Sequence, residues 1–202
     1  MRRSSGLVAM AVVVAALPAS AANAPIADKP VPPKVGDVFE YQKRFVSIDC
    51  PRWEVKAVGQ DGYNILQCGD NMAYIDVGSG TLTRIVANNK PLFEFKPYSP
   101  TLSFPLELGK KWAGKYDGYR SDQAASWKSE VSCEVKAFET VKVPAGEFEA
   151  YRIACADNWD ALPFHGTADS TFWYAPKIGT VVKNVNAADS AFDYELAAYH
   201  VK

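Results

Sequence analysis

Val131-Ser132-Cys133-Glu134-Val135-Lys136-Ala137 runs toward a turn at Val143-Pro144-Ala145-Gly146, and Tyr151-Arg152-Ile153-Ala154-Cys155 runs back from it. In both arms apolar and polar side chains alternate, the period of a strand with one buried face. Val131, Cys133, Val135 and Ala137 share a face of the first arm. Tyr151, Ile153 and Cys155 share a face of the second. Proline and glycine stand where a turn needs them. The midpoint of positions 133 and 155 falls inside that turn, so the hairpin sets Cys133 roughly opposite Cys155, within reach of a disulfide.

The same pattern extends outward along the chain. β-Branched and aromatic residues alternate with polar ones in runs bounded by Gly, Asn, Asp and Pro. Strands are expected near 38–48, 53–58, 63–68, 72–77, 81–86 and 91–96. After a break at 97–105 they are expected near 112–119, 127–140, 147–155, 170–175, 180–185 and 191–200. No later window holds a helical period over three turns. Short helices find room only near 121–126 or 159–162. The chain therefore reads as antiparallel all-β: a large curved sheet, an open barrel or a sandwich.

The strands fall into two similar halves, 35–96 and 108–194. Val35-Gly36-Asp37-Val38-Phe39 matches Leu108-Gly109-Lys110-Lys111-Trp112, and Glu54-Val55-Lys56-Ala57 matches Glu134-Val135-Lys136-Ala137. Tyr63-Asn64-Ile65-Leu66-Gln67-Cys68 matches Tyr151-Arg152-Ile153-Ala154-Cys155, and the Gly80-Thr81 turn matches Gly179-Thr180. The order is kept and the spacing drifts, as expected of an internal repeat with insertions. Each half has one cysteine before its Glu-Val-Lys-Ala strand and one at the end of the next strand. Equivalent positions imply equivalent bonds, Cys50–Cys68 and Cys133–Cys155. For the first pair, plain pairing about the 59–62 turn sets Cys68 opposite Trp53, so Cys50 reaches it only if Pro51 bends the strand back.

The chain begins with Arg2 and Arg3, an apolar run from Leu7 to Leu17, Pro18 and then small residues. That is the layout of a secretory signal peptide, expected over 1–21 with the mature chain starting at Ala22. Residues 22–34 read as a proline-rich linker, and 35–202 as a single β domain. The apolar run is shorter than the ~20 residues that span a bilayer, so no transmembrane anchor is expected in the mature chain. Loss of Arg2 and Arg3 leaves 20 basic against 23 acidic residues. A charge near −3 with no basic stripe argues against nucleic acid. Four cysteines without a C-x-x-C spacing suit two disulfides in an oxidising compartment, periplasmic or secreted.

Three blocks mark a resemblance: Phe104-Pro105-Leu106-Glu107-Leu108-Gly109-Lys110-Lys111-Trp112, Val143-Pro144-Ala145-Gly146-Glu147-Phe148, and Trp173-Tyr174-Ala175-Pro176-Lys177-Ile178-Gly179. With them the chain resembles a loose group of uncharacterised bacterial exported β-proteins. The resemblance implies a fold and carries over no catalytic residue. More distantly, the layout resembles the half-barrel of periplasmic lipoprotein carriers, which bind acyl chains. This chain departs from that family in lacking clear lid helices.

Chemistry is sparse. The chain has two histidines. His200 stands in the closing strand. His165 lies in 157–170, a segment with three aspartates and aromatics that reads as a connecting loop, the kind of place where function concentrates. No nucleophile elbow, phosphate loop or dinucleotide fingerprint occurs, and no metal, cofactor or catalytic residue is expected. Trp112 and Trp173 belong to fold blocks. Trp127, Trp159, Phe164 and His165 are the candidate ligand-binding residues. The leading expectation is a non-enzymatic exported β-protein that binds an apolar or envelope-derived ligand or a partner protein. An envelope interaction module without a small-molecule site is the runner-up, and a hydrolase centred on His165 the third.

Overall fold

A computed structural model describes residues 24–42 and 50–202. The expected signal peptide, 1–21, and the outer part of the first expected strand, 43–48, lie outside the described residues. The chain forms twelve strands: β1 (Val38–Gln42), β2 (Arg52–Gln60), β3 (Tyr63–Cys68), β4 (Asn71–Asp76), β5 (Leu82–Ala87), β6 (Lys90–Lys96), β7 (Lys111–Arg120), β8 (Ala125–Val143), β9 (Gly146–Ala161), β10 (Phe164–Ala175), β11 (Thr180–Asn186) and β12 (Tyr194–His200). Each pairs antiparallel with the next, and β12 returns to β1 with Val38 opposite His200. Of the three expected arrangements the chain takes the barrel, and the barrel is closed, which leaves no free sheet edge.

Side-chain alternation sets inside from outside. Inward positions such as Val131, Cys133, Val135, Tyr151, Ile153 and Leu196 are buried. Outward positions carry charge ladders: Lys111 and Lys136 flank Glu134 at 3.6 and 2.5 Å, and Lys115 faces Glu130 at 3.3 Å. Apolar inside and charged outside is the inverse of a lipid-facing barrel. Among the described residues no helix is long and apolar enough to cross a membrane.

Both disulfides form as the half-to-half comparison predicts, Cys50–Cys68 and Cys133–Cys155. The second depends on an irregularity. From the turn outward β8 and β9 pair Val143 with Gly146 and Ala137 with Arg152, a register that would set Cys133 against Ala156. A bulge between Val135 and Ala137 shifts the ladder by one residue and brings Cys133 opposite Cys155. It also takes Ala137 out of the single face expected for it. In the first half Glu54 pairs with Gln67, a register that continues to Trp53 against Cys68, and Cys50 lies just outside β2.

Six strands precede the 97–110 segment and six follow it, and some local features recur. Gly36 N–H donates to Val55 O at 2.8 Å and Gly109 N–H to Val135 O at 2.9 Å, both glycines at a φ (88° and 82°) that other residues rarely adopt. The β2–β3 bulge after Val55 matches the β8–β9 bulge after Val135. The bulge between Tyr74 and Ile75 matches the one between Trp173 and Tyr174.

One connecting segment enters the interior and an N-terminal segment packs onto the barrel. Residues 97–110 bring Leu102 and Leu106 into the core against Tyr116, Val131 and Tyr151. The proline-rich segment 24–34 lies along the barrel. Ala27 bridges Leu106 through two backbone hydrogen bonds, the Tyr151 hydroxyl donates to Pro25 O, and Val31 N–H donates to the Tyr174 hydroxyl at 3.5 Å.

Two local expectations are corrected. Residues 157–170 are not a loop. β9 and β10 continue as a hairpin, from Asp157 opposite Ala168 to Ala161 opposite Phe164, turning at Leu162-Pro163. The polar residues there mark strand faces that water reaches on the way out of the core, not a loss of pairing. For the same reason 159–162 is strand and turn, not helix. The other short helix does form, as a single 3-10 turn at Ser121–Gln123.

Candidate functional site

The barrel wall and the 24–34 segment line a partly open cavity of about 350 Å³. Its wall comes from both halves: Leu66 of β3, Ile75 of β4, Leu82 of β5, Phe95 of β6, Phe172 of β10 and Val181 of β11. Pro30, Val31 and Pro33 close one side. Pro30 packs over Gly80, where an added Cβ would lie 3.2 Å from its ring. Val31 likewise sits against Gly179, where a Cβ would come within 2.7 Å of its carbonyl.

The wall also carries polar side chains, among them Ser99, Thr101, Asn64, Asn184 and Asn186, and several are engaged. Asn64 Oδ1 accepts from Gly59 N–H at 3.1 Å. Thr180 Oγ1 and the Tyr41 hydroxyl share a hydrogen bond at 2.9 Å. Asn186 donates to Ser170 Oγ at 3.0 Å and accepts from the backbone of Ala188 and Asp189. Asn184 Nδ2 donates to Phe192 O at 2.8 Å, while its Oδ1 is shut off from solvent without a partner among the described residues. Burial pushes the Tyr174 phenol above its ordinary range.

The four residues expected from sequence to bind ligand lie elsewhere. Trp127 and Trp159 face inward near the far ends of β8 and β9, each laid across a glycine of the neighbouring strand. A Cβ at Gly118 would fall 2.1 Å from the Trp127 ring, and one at Gly166 2.7 Å from that of Trp159. Trp127 also packs on Phe95 and Tyr116. Phe164, 70% exposed, stands at the hairpin tip beside Leu162, 86% exposed. His165 is exposed, pairs in register with Asp160, and by alternation points away from Phe164. None of the four lines the cavity.

Below Trp127 lies a buried polar group. The Tyr116 hydroxyl donates to Asp157 Oδ2 at 2.7 Å and accepts from Trp127 Nε1 at 3.4 Å. Burial above all, and then the Asp157 carboxylate, pushes the Tyr116 phenol up to about 12. Among the described residues no three His, Cys, Asp or Glu side chains converge as metal ligands would.

The cavity residues escaped the sequence reading, although one signal was present. Asn64 shares its strand face with Leu66 and Cys68, and Asn184 alternates with Val182. A polar side chain in phase with a core face is the informative kind of burial. The strap gave no such signal, because a proline-rich stretch has no periodicity to reveal what it packs on.

No protein-family model matches the chain, and no curated protein matches it. Solved structures do. A protein of Bacteroides fragilis described as exported and as having a YmcC-like fold superposes with a TM-score of 0.51 at 14% identity, over 86% of this chain and 99% of that one. The hypothetical lipoprotein YmcC of Escherichia coli gives 0.53 at 12% identity, over 89% and 90%. A lipoprotein structure from Parabacteroides distasonis gives 0.50 at 12%, over 86% and 99%. At such identities the likeness is one of fold alone.

Proposed function

We propose that this protein is a non-enzymatic, extracytoplasmic binding protein that holds one small apolar ligand inside its barrel. The observation that carries the reading is the partly open, mainly apolar cavity of about 350 Å³, within the ~300–1,000 Å³ range of ligand pockets. Its wall is mainly apolar, so affinity would come from buried area, about 25 cal/mol per Å² before ordering costs. At about 30 Å³ for a water-sized group, it has room for roughly a dozen heavy atoms. That fits a single short acyl chain or a fused-ring molecule. The two disulfides suit an oxidising compartment.

Native mass spectrometry of the folded protein purified from an exporting host tests this. The expected outcome is a low-mass adduct that organic extraction removes and that apolar compounds replace. Protein that is ligand-free on purification and takes up no apolar compound would sink the reading. A second reading, docking of an envelope protein, rests on the bare Leu162 and Phe164 at the hairpin tip. It predicts that Phe164→Ser abolishes partner capture and leaves ligand uptake intact.

A further inference from the structure

We propose that the tip of the β9–β10 hairpin is a membrane-docking point, which seats Leu162 and Phe164 in the interfacial layer of a phospholipid surface. These are the two most exposed large apolar side chains among the described residues, at 86% and 70%, and Pro163 stands between them. The turn leaves no backbone donor over. Leu162 N–H donates to Asp160 Oδ1 at 3.2 Å, Pro163 has no N–H, and Phe164 pairs with Ala161 as the last rung of the ladder. An unpaired N–H is what keeps a turn out of an apolar medium.

What covers the tip follows from its size and its charge. A phenylalanine presents about 150–250 Å². One leucine beside it leaves the apolar tip well short of the ~800 Å² per partner that a standard protein interface takes. Lipid sets no such minimum, because headgroups part around a small convex wedge. The flanking charges are balanced. Asp160 lies in register between Lys128 of β8 and His165 of β10, and at the β7–β8 turn Arg120 holds Asp122 at 2.7 Å. Without an excess of basic residues the tip has no draw on anionic lipid, so its seat is a zwitterionic surface. From Phe164 to Ser170 the strand runs about 20 Å. Ser170 lies opposite Asn186, and both border the cavity together with Phe192. Docking therefore turns this end of the cavity toward lipid, a source of apolar ligand. That last consequence rests on the binding reading above; the docking itself does not.

The test is sedimentation of the full mature protein with sucrose-loaded phosphatidylcholine vesicles at low and high salt. It is run beside the double variant Leu162→Ser/Phe164→Ser and the control Val58→Ser. Val58 is also exposed, beside the β2–β3 turn at the opposite end of the barrel. The expected result is weak, reversible binding at millimolar lipid that high salt leaves unchanged and that persists in Val58→Ser. In the double variant the binding falls about tenfold, through loss of apolar area. The tip side chains are bare, so that variant keeps its fold, which an unchanged melting temperature checks. Wild-type protein that stays in the supernatant overturns the proposal, and a partner protein lost with Phe164→Ser then assigns the tip to protein. Binding that the double variant retains overturns it too, as does binding that needs anionic lipid and vanishes at high salt. Uptake of an apolar probe by the protein in vesicle-free solution is read separately, so failure of the binding reading and failure of docking are told apart.

Discussion

Tyr116 shows how one side chain can set a pH limit on this barrel. Its phenol, buried between β7 and β9 on Asp157, titrates near 12, against about 10 in an unfolded chain. Between those values the unfolded chain has released the proton and the folded one retains it. Unfolding therefore becomes easier as pH rises, and the stability present below pH 10 is lost upward at as much as about 1.4 kcal/mol per unit. Denaturant melts from pH 8 to 11.5 should show the midpoint falling above pH 10, and in Tyr116→Phe a shallower fall from a lower starting stability. A flat wild-type profile would refute the assignment. Gly118 sets a second limit, one of space. A methyl there meets the Trp127 ring at 2.1 Å, so Gly118→Ala should cost about 1–3 kcal/mol through displacement of the indole, seen as a changed tryptophan emission and a lower melting temperature.

At the level of elements, the two disulfides close loops of similar length, 18 and 22 residues apart in sequence. Loop-closure entropy scales with the logarithm of that length, so each bond should contribute roughly 3 kcal/mol and the two should differ by only about 0.2 kcal/mol. Paired Cys→Ser variants measured by denaturant unfolding check this, and a loss confined to one pair would contradict it. The cysteine pairing was legible from the equivalent places of the cysteines in the two halves, whereas the bulge that brings Cys133 opposite Cys155 left no mark at Lys136 that a sequence can show. The twelve strands were legible because each carries its period of two between turn residues. The hairpin at 157–170 was not, because alternation is written in burial contrast and both of its faces meet water. The strap at 24–34 is the element whose removal bears on the cavity. A chain beginning at residue 35 should keep its disulfides and release a bound apolar probe faster, which stopped-flow dilution would measure; an unchanged rate would mean that the strap does not gate access.

Across the whole molecule, we propose that the two runs of six strands descend from one unit used twice. Matching glycine turns, matching bulges and matching disulfides support this, and superposition of 35–96 on 108–194 in the same strand order is the test. A cavity in such a molecule is a consequence of scale: twelve strands enclose more volume than their own side chains fill, and segment 97–110 leaves part of it empty. That emptiness was not legible, since it depends on which residues of distant strands face one another. Closure by β1 and β12 joins positions as far apart as Val38 and His200, and Lys202 N–H adds a hydrogen bond to Asp37 at 2.9 Å. A chain that emerges from a membrane amino end first delivers β1 long before the strand that completes it. Until β12 arrives, β1 presents an unpaired edge on one side, an invitation to any extended segment nearby. Closure of this barrel is therefore timed by the arrival of β12, and a chain stopped short of it meets the outside with a sheet that cannot be closed.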